Sequence, residues 1–243
     1  MANWSDPRSA TAPGTTTVGG DVAFDAGLRS HMLSVYNYMA SGVLLTGVVA
    51  LLFANSGMAG TVFRDGGLLS WLIILSPLAI VMVMSFGINR ISTATAQLLF
   101  WAFAVTMGLS LSTVFLVYTG ASIAQTFFAT AAAFVSLSLW GYTTKKDLSA
   151  MGTFLVMGLF GLIIAMVINL FMQSDSLSLA ISAIGVLIFA GLTAYDTQKI
   201  KSFYFEVAGT EFIRKAAIMG ALNLYLDFIN MFLFLLRFMG DRE

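Results

Sequence analysis

AAIMGALNLYLDFINMFLFLLRF, residues 216–238, is the stretch from which the fold can be read. It is almost wholly apolar, yet it carries Asp227 near its middle. A helix needs ~20 mostly apolar residues to cross ~30 Å of hydrocarbon, and this stretch is long enough. Working outward, six more stretches of that kind occur at 32–54, 68–88, 97–118, 123–141, 153–172 and 179–198. The whole chain is 58% hydrophobic and 10% charged, with mean hydropathy +0.89. Soluble domains run at ~45–50% apolar and ~25% charged. Twelve basic and twelve acidic residues cannot cover 243 residues with a water-facing surface. Lipid is therefore the solvent. A barrel would show alternating ~10-residue segments, a pattern missing here, and backbone satisfaction in lipid leaves only helices. The reading is an all-α integral membrane protein, a bundle of seven transmembrane helices.

The connections are short and contain Gly66-Gly67, Thr119-Gly120 and Ser174-Asp175-Ser176. The breaks at 119–122 and 173–178 are the weakest, because fusion there would change the count. Ser76-Pro77 is expected to bend or break the second span, since proline removes a backbone donor. Residues 1–30, with Pro7, Pro13, Thr15-Thr16-Thr17 and Gly19-Gly20, read as a flexible cytoplasmic tail ahead of a domain at 31–243. No apolar stretch closely follows Arg8, so the tail is not a signal peptide.

Short-loop lysines and arginines set the expected orientation. With the N-terminus in the cytoplasm, the inner segments carry Arg8, Arg29, Arg90, Lys145, Lys146, Lys199, Lys201, Arg214 and Lys215. The outer ones carry Arg64, Arg237 and Arg242. The C-terminus is then outside. A net charge of zero gives no broad case for nucleic acid. The absence of cysteine and the single histidine, His31, exclude thiolate and multi-histidine metal sites. His31 precedes the first span and reads as interfacial. Phosphate-cradling, zinc-protease and serine-elbow motifs are missing. Asp196 and Asp227 lack the Gly-x-Gly-Asp context of a membrane aspartyl protease. No enzyme and no cofactor are expected.

The polar residues inside the spans carry the functional reading. Asn223, Asp227 and Asn230 are spaced i, i+4, i+7 and share one helix face. An aspartate at a helix centre costs ~2.5–3.5 kcal/mol on insertion scales, so this stripe must face the bundle interior or a water-filled cavity. Asp196 closes the sixth span in Gly191-Leu192-Thr193-Ala194-Tyr195-Asp196-Thr197-Gln198. The two aspartates can meet if the sixth helix continues past Gln198. Two adjacent carboxylates cannot both ionise cheaply and would share a proton, which makes the pair a pH sensor. When ionised it is also a hard-cation site of the kind Ca²⁺ favours. Arg90 is the best candidate partner for a carboxylate on the cytoplasmic side, although position alone favours the plainer reading of an anchor at the membrane surface. Thr106, Ser110 and Thr113 form a second stripe, which fits close helix packing better than a permeation path. Arg237 fits a side chain reaching back to the headgroups.

GLTAYDTQ at Gly191–Gln198 resembles the signature of the Bax inhibitor-1 family, the transmembrane Bax inhibitor motif proteins. ALNLYLDFIN at 221–230 resembles its last span, and Gly108-Leu109-Ser110-Leu111-Ser112 with Tyr118 its third. The resemblance runs from about residue 30 to the C-terminus and looks like the bacterial branch. It implies a bundle with a central sixth helix in a bacterial inner membrane. It also implies a pH-sensitive calcium leak whose sensor is Asp196 with Asp227, and an arginine after the second helix that exchanges partners with the pair, matched by Arg90. Calcium is then the permeant or transiently bound ion. Some relatives latch an acid of the second helix to an arginine near the end of the seventh. No acid occurs here between Asp65 and Asp147, so Arg237 lacks that partner.

The expected function is thus a calcium leak gated by the aspartate pair. The rival is a regulatory partner of a membrane-bound AAA protease or a cell-death effector, with residues 1–30 as its handle. A proton-coupled solute transporter is a third reading, disfavoured because no internal repeat is visible.

Overall fold

The fold was derived from a computed structural model that describes residues 18–242. Residues 1–17 of the expected tail lie outside the described residues. Helix α1 (Val18–Asn55) begins well before the apolar stretch, so residues 18–30 belong to a helix. A short helix, α2 (Met58–Asp65), follows, then α3 (Leu68–Gly87), α4 (Thr93–Leu111) with a 3₁₀ turn at Ser112–Leu116, and α5 (Gly120–Thr143). The chain continues as α6 (Ser149–Met172), α7 (Asp175–Val207) and α8 (Ile213–Met239). Among the described residues, seven helices are long and apolar enough to span a membrane. Both weak breaks are real. Thr119 accepts from the Ser122 N–H at 3.2 Å and caps α5, while Gln173 turns left-handed at φ 49° and Ser174 caps α7.

Hydropathy did not show α2, because eight residues with a mixed composition cannot span. Ala59, Val62 and Phe63 form its inward face, and Arg64 points out. Helix α3 passes through Pro77 without a break. The missing N–H of Pro77 frees the Ile73 carbonyl. Ser76 Oγ donates to that carbonyl at 3.0 Å and Ser110 Oγ of α4 at 3.5 Å. Hydroxyls thus replace the lost bond, a standard remedy for proline inside a membrane helix.

Two helices share the centre. Helix α7, the sixth span, packs on α5, α6 and α8; helix α8 packs on α1, α4, α5 and α7. The most apolar window of α8 is 67% buried against 44% for α7, so the seventh span is the more enclosed. Helices α3 and α6 lie outermost and expose residues such as Leu72, Phe86, Phe160 and Phe171, as lipid-facing helices should. Gly141 lets α5 approach α7 closely: a Cβ there would strike the Ala194 backbone. Thr46 of α1 ties three helices together, donating to the Ala104 carbonyl at 2.7 Å and sharing a 2.6 Å bond with the Tyr225 hydroxyl.

A candidate carboxyl-pair site

Helix α7 runs nine residues past Gln198 to Val207, so the condition for the two aspartates to meet is satisfied. Hydropathy falls there because of Lys199, Lys201 and Glu206, yet the helix simply continues past the apolar zone. At 1.5 Å per residue, α7 is ~50 Å long and overshoots a ~30 Å hydrocarbon core. Its antiparallel register with α8 is fixed by packing. Gly220 takes Ile200 against its surface, and Phe189 stacks on Phe234 at 5.8 Å. That register sets Asp196 opposite Asp227, with their side chains within hydrogen-bonding reach.

Asp227 is 4% exposed, and among the described residues its Oδ2 has no hydrogen-bond donor. Two carboxylates offer only acceptors, whereas a proton held between them makes one oxygen a donor. Asp196 is half-buried, with Lys199 as a nearby positive charge.

The pair opens on a cleft of about 640 Å³ between α6, α7 and α8. Asn223, Asp227, Asn230 and Arg237 line it from α8, and Tyr195, Asp196 and Lys199 from α7. The stripe thus faces a cavity, as the cost of a lipid-facing aspartate requires. Asn230 donates its amide N–H to the Leu226 carbonyl at 2.8 Å, which leaves its amide oxygen as a possible cation ligand. Two carboxyls and two asparagine amides supply fewer oxygens than the 6–8 of a resident calcium site. Water would have to complete the shell, which suits a passing ion better than a tightly held one. Among the described residues no group of three or more histidine or acidic side chains could hold a metal.

A family profile described as inhibitor of apoptosis-promoting Bax1 matches residues 28–243. The chain belongs to the Bax inhibitor-1 family. The Rickettsia prowazekii protein RP147 is 49% identical over 229 residues, covering 94% of this chain and 96% of that protein. Inner membrane protein YbhL of Escherichia coli K12 is 45% identical over 220 residues, covering 90% and 94%. An uncharacterized Caulobacter vibrioides protein is 44% identical over 234 residues, covering 92% and 93%. These likenesses and the seven apolar helices make this Bax inhibitor-1 protein a multi-pass bacterial inner-membrane protein.

Other sequence-nominated residues in this Bax inhibitor-1 chain lie elsewhere. Arg90 is exposed in the turn after α3 and does not line the cleft. Thr106 and Ser110 lie on α4, away from it. Thr106 donates to the Phe103 carbonyl and Ser110 to Ile73 of α3, as a packing role requires. His31, read as interfacial, is buried against Tyr204 with ring centroids 5.3 Å apart. The reason is the unexpected length of both helices: α1 starts thirteen residues before it, and α7 reaches across to meet it. Arg237, expected to reach back to the headgroups, is exposed and also lines the cleft. Its sequence signal was available, because it falls seven residues after Asn230, two helical turns along the same face.

Proposed function

We propose that this protein is a pH-sensitive calcium leak of the inner membrane, gated by the Asp196–Asp227 pair. The observation that supports the reading is the buried Asp227 carboxyl oxygen that has no hydrogen-bond partner among the described residues and lies beside a second acid, with which it would share a proton. Loss of that proton places like charges side by side and favours any rearrangement that separates α7 from α8. The adjoining cleft, with its amide and carboxyl oxygens, supplies transient ligands for a hard cation. Lys199 is the counter-charge near Asp196 in this conformation, and Arg90 is the proposed partner in a second one. The N-terminus is placed in the cytoplasm and the C-terminus outside, following the basic loops.

The test is calcium flux into proteoliposomes containing only this protein, across a pH series, with Asp196→Asn and Asp227→Asn beside the wild type. Flux that titrates in the wild type and not in either variant supports the reading. Flux no greater than that of empty liposomes at every pH overturns it.

A further inference from the structure

A second cavity lies on the opposite side of α8. A groove of about 740 Å³ runs between α1 and α5, with Phe228 of α8 at its floor. Its lining extends from Arg29 to Leu44 on α1 and from Phe127 to Tyr142 on α5. Each stretch covers fifteen residue steps, ~22 Å of helix. That exceeds the ~15 Å hydrocarbon depth of a single leaflet, half of a ~30 Å core. The volume falls within the ~300–1,000 Å³ usual for small-molecule sites. Met32, Met39, Val43 and Phe134 make the trough apolar along its length.

Its two ends differ. Among the described residues, Arg29 is the one charged side chain in the lining and no acid lines the groove. It lies three residues ahead of the apolar stretch at 32–54, which puts it at the level of the headgroups. Tyr142 lines the same end, and Lys201 stands over it. The Lys201 Nζ donates to the Tyr142 carbonyl at 2.8 Å and sits 5.0 Å from its ring centroid. A cationic mouth at headgroup level above a long apolar trough complements one kind of bilayer component. We infer that this groove binds an anionic phospholipid, with its phosphate at Arg29 and one acyl chain lying between α1 and α5. Basic pockets between transmembrane helices are known to recognise such headgroups.

The chain would lie against Tyr36 and Ser138, whose hydroxyls are bonded at 2.7 Å. Ser138 continues to Thr197 of α7 at 2.8 Å, so the groove wall is tied to the helix that carries Asp196. The lipid site rests on its own lining and stands whether or not the protein passes calcium.

The full chain, reconstituted in equimolar phosphatidylglycerol and phosphatidylcholine and released for native mass spectrometry, tests the inference. The wild type should retain phosphatidylglycerol over phosphatidylcholine by roughly fivefold, the preference that one basic contact near the surface confers. Arg29→Ala should erase that preference. Ala40→Trp, an exposed groove-lining position on α1, and Val135→Trp, its counterpart on α5, should each lose bound lipid of both kinds. Circular dichroism and gel filtration confirm that each variant is folded, and Arg64→Ala on α2 should behave as wild type. Equal retention of the two lipids by the wild type, or folded tryptophan variants that keep phosphatidylglycerol at the wild-type level, would overturn the inference.

Discussion

Asp227→Asn is the sharpest perturbation of the carboxyl pair, because it keeps the shape and supplies Asp196 with a permanent N–H donor. On the proposed reading, the wild type has such a donor only while the pair holds a proton. Two unit charges ~4 Å apart at an effective dielectric of ~20 repel by ~4 kcal/mol. Protonation can bias a two-state closed–open equilibrium by no more than this difference. At ~1.4 kcal/mol per tenfold, the ceiling is therefore ~10³ in population. Wild-type flux in proteoliposomes should change by ten- to a hundredfold (roughly) across the titration, inside that ceiling. In Asp227→Asn the change should shrink to about twofold or less, because no like-charge repulsion remains to be switched. A variant whose flux still titrates with the wild-type amplitude would refute the reasoning, since the sensor would then have to lie outside the pair.

The remaining predictions concern packing and loops. Gly141→Ala should lower stability by ~1–3 kcal/mol, because its methyl meets the Ala194 backbone, which cannot rotate aside. Gly161→Ala on the exposed face of α6, where nothing lies within 4 Å, should be neutral or gain ~0.5–1 kcal/mol; thermal unfolding in detergent compares the two. Thr46→Val should cost more than Tyr225→Phe. The former strands the buried Tyr225 hydroxyl and also removes the second bond to the Ala104 carbonyl, while the latter removes one bond worth ~0.5–1.5 kcal/mol. Gln198→Ala should speed tryptic cleavage after Lys145 and Lys146, because the Gln198 amide holds that loop through the Lys146 carbonyl and the Leu148 N–H, both at 2.8 Å. Cleavage from only one face of sealed vesicles would also report the orientation of the loop. Asp147, exposed in the same loop, accepts hydrogen bonds from the Ser149 side chain and backbone, which hold its carboxyl below the usual carboxylate range. Its folded value lies below its unfolded one, so its contribution is present at neutral pH and fades as pH falls through the lowered value. A carboxyl carbon titration by NMR should show a lower midpoint in the wild type than in Ser149→Ala.

Apolar run length alone determined the seven spans, because the hydrocarbon core imposes one length on every crossing and forbids unsatisfied backbone. The Asn223, Asp227 and Asn230 stripe was legible for a related reason: i, i+4, i+7 spacing fixes a common face before any partner is known, and the cost of lipid contact says that the face points inward. Arg237 belongs to the same arithmetic, seven residues after Asn230 on that face. The meeting of Asp196 with Asp227 was not decided by the sequence. It required α7 to stay helical beyond Gln198, where hydropathy gives no signal because the helix has already left the zone that hydropathy reports. The exposed place of Arg90 and the burial of His31 likewise depend on where two long helices cross, which is a property of side-chain packing across the bundle. The groove between α1 and α5 is wholly tertiary. Its residues are separated by a hundred positions in the chain, and only the shared seat of the two helices on α8 brings them to one surface.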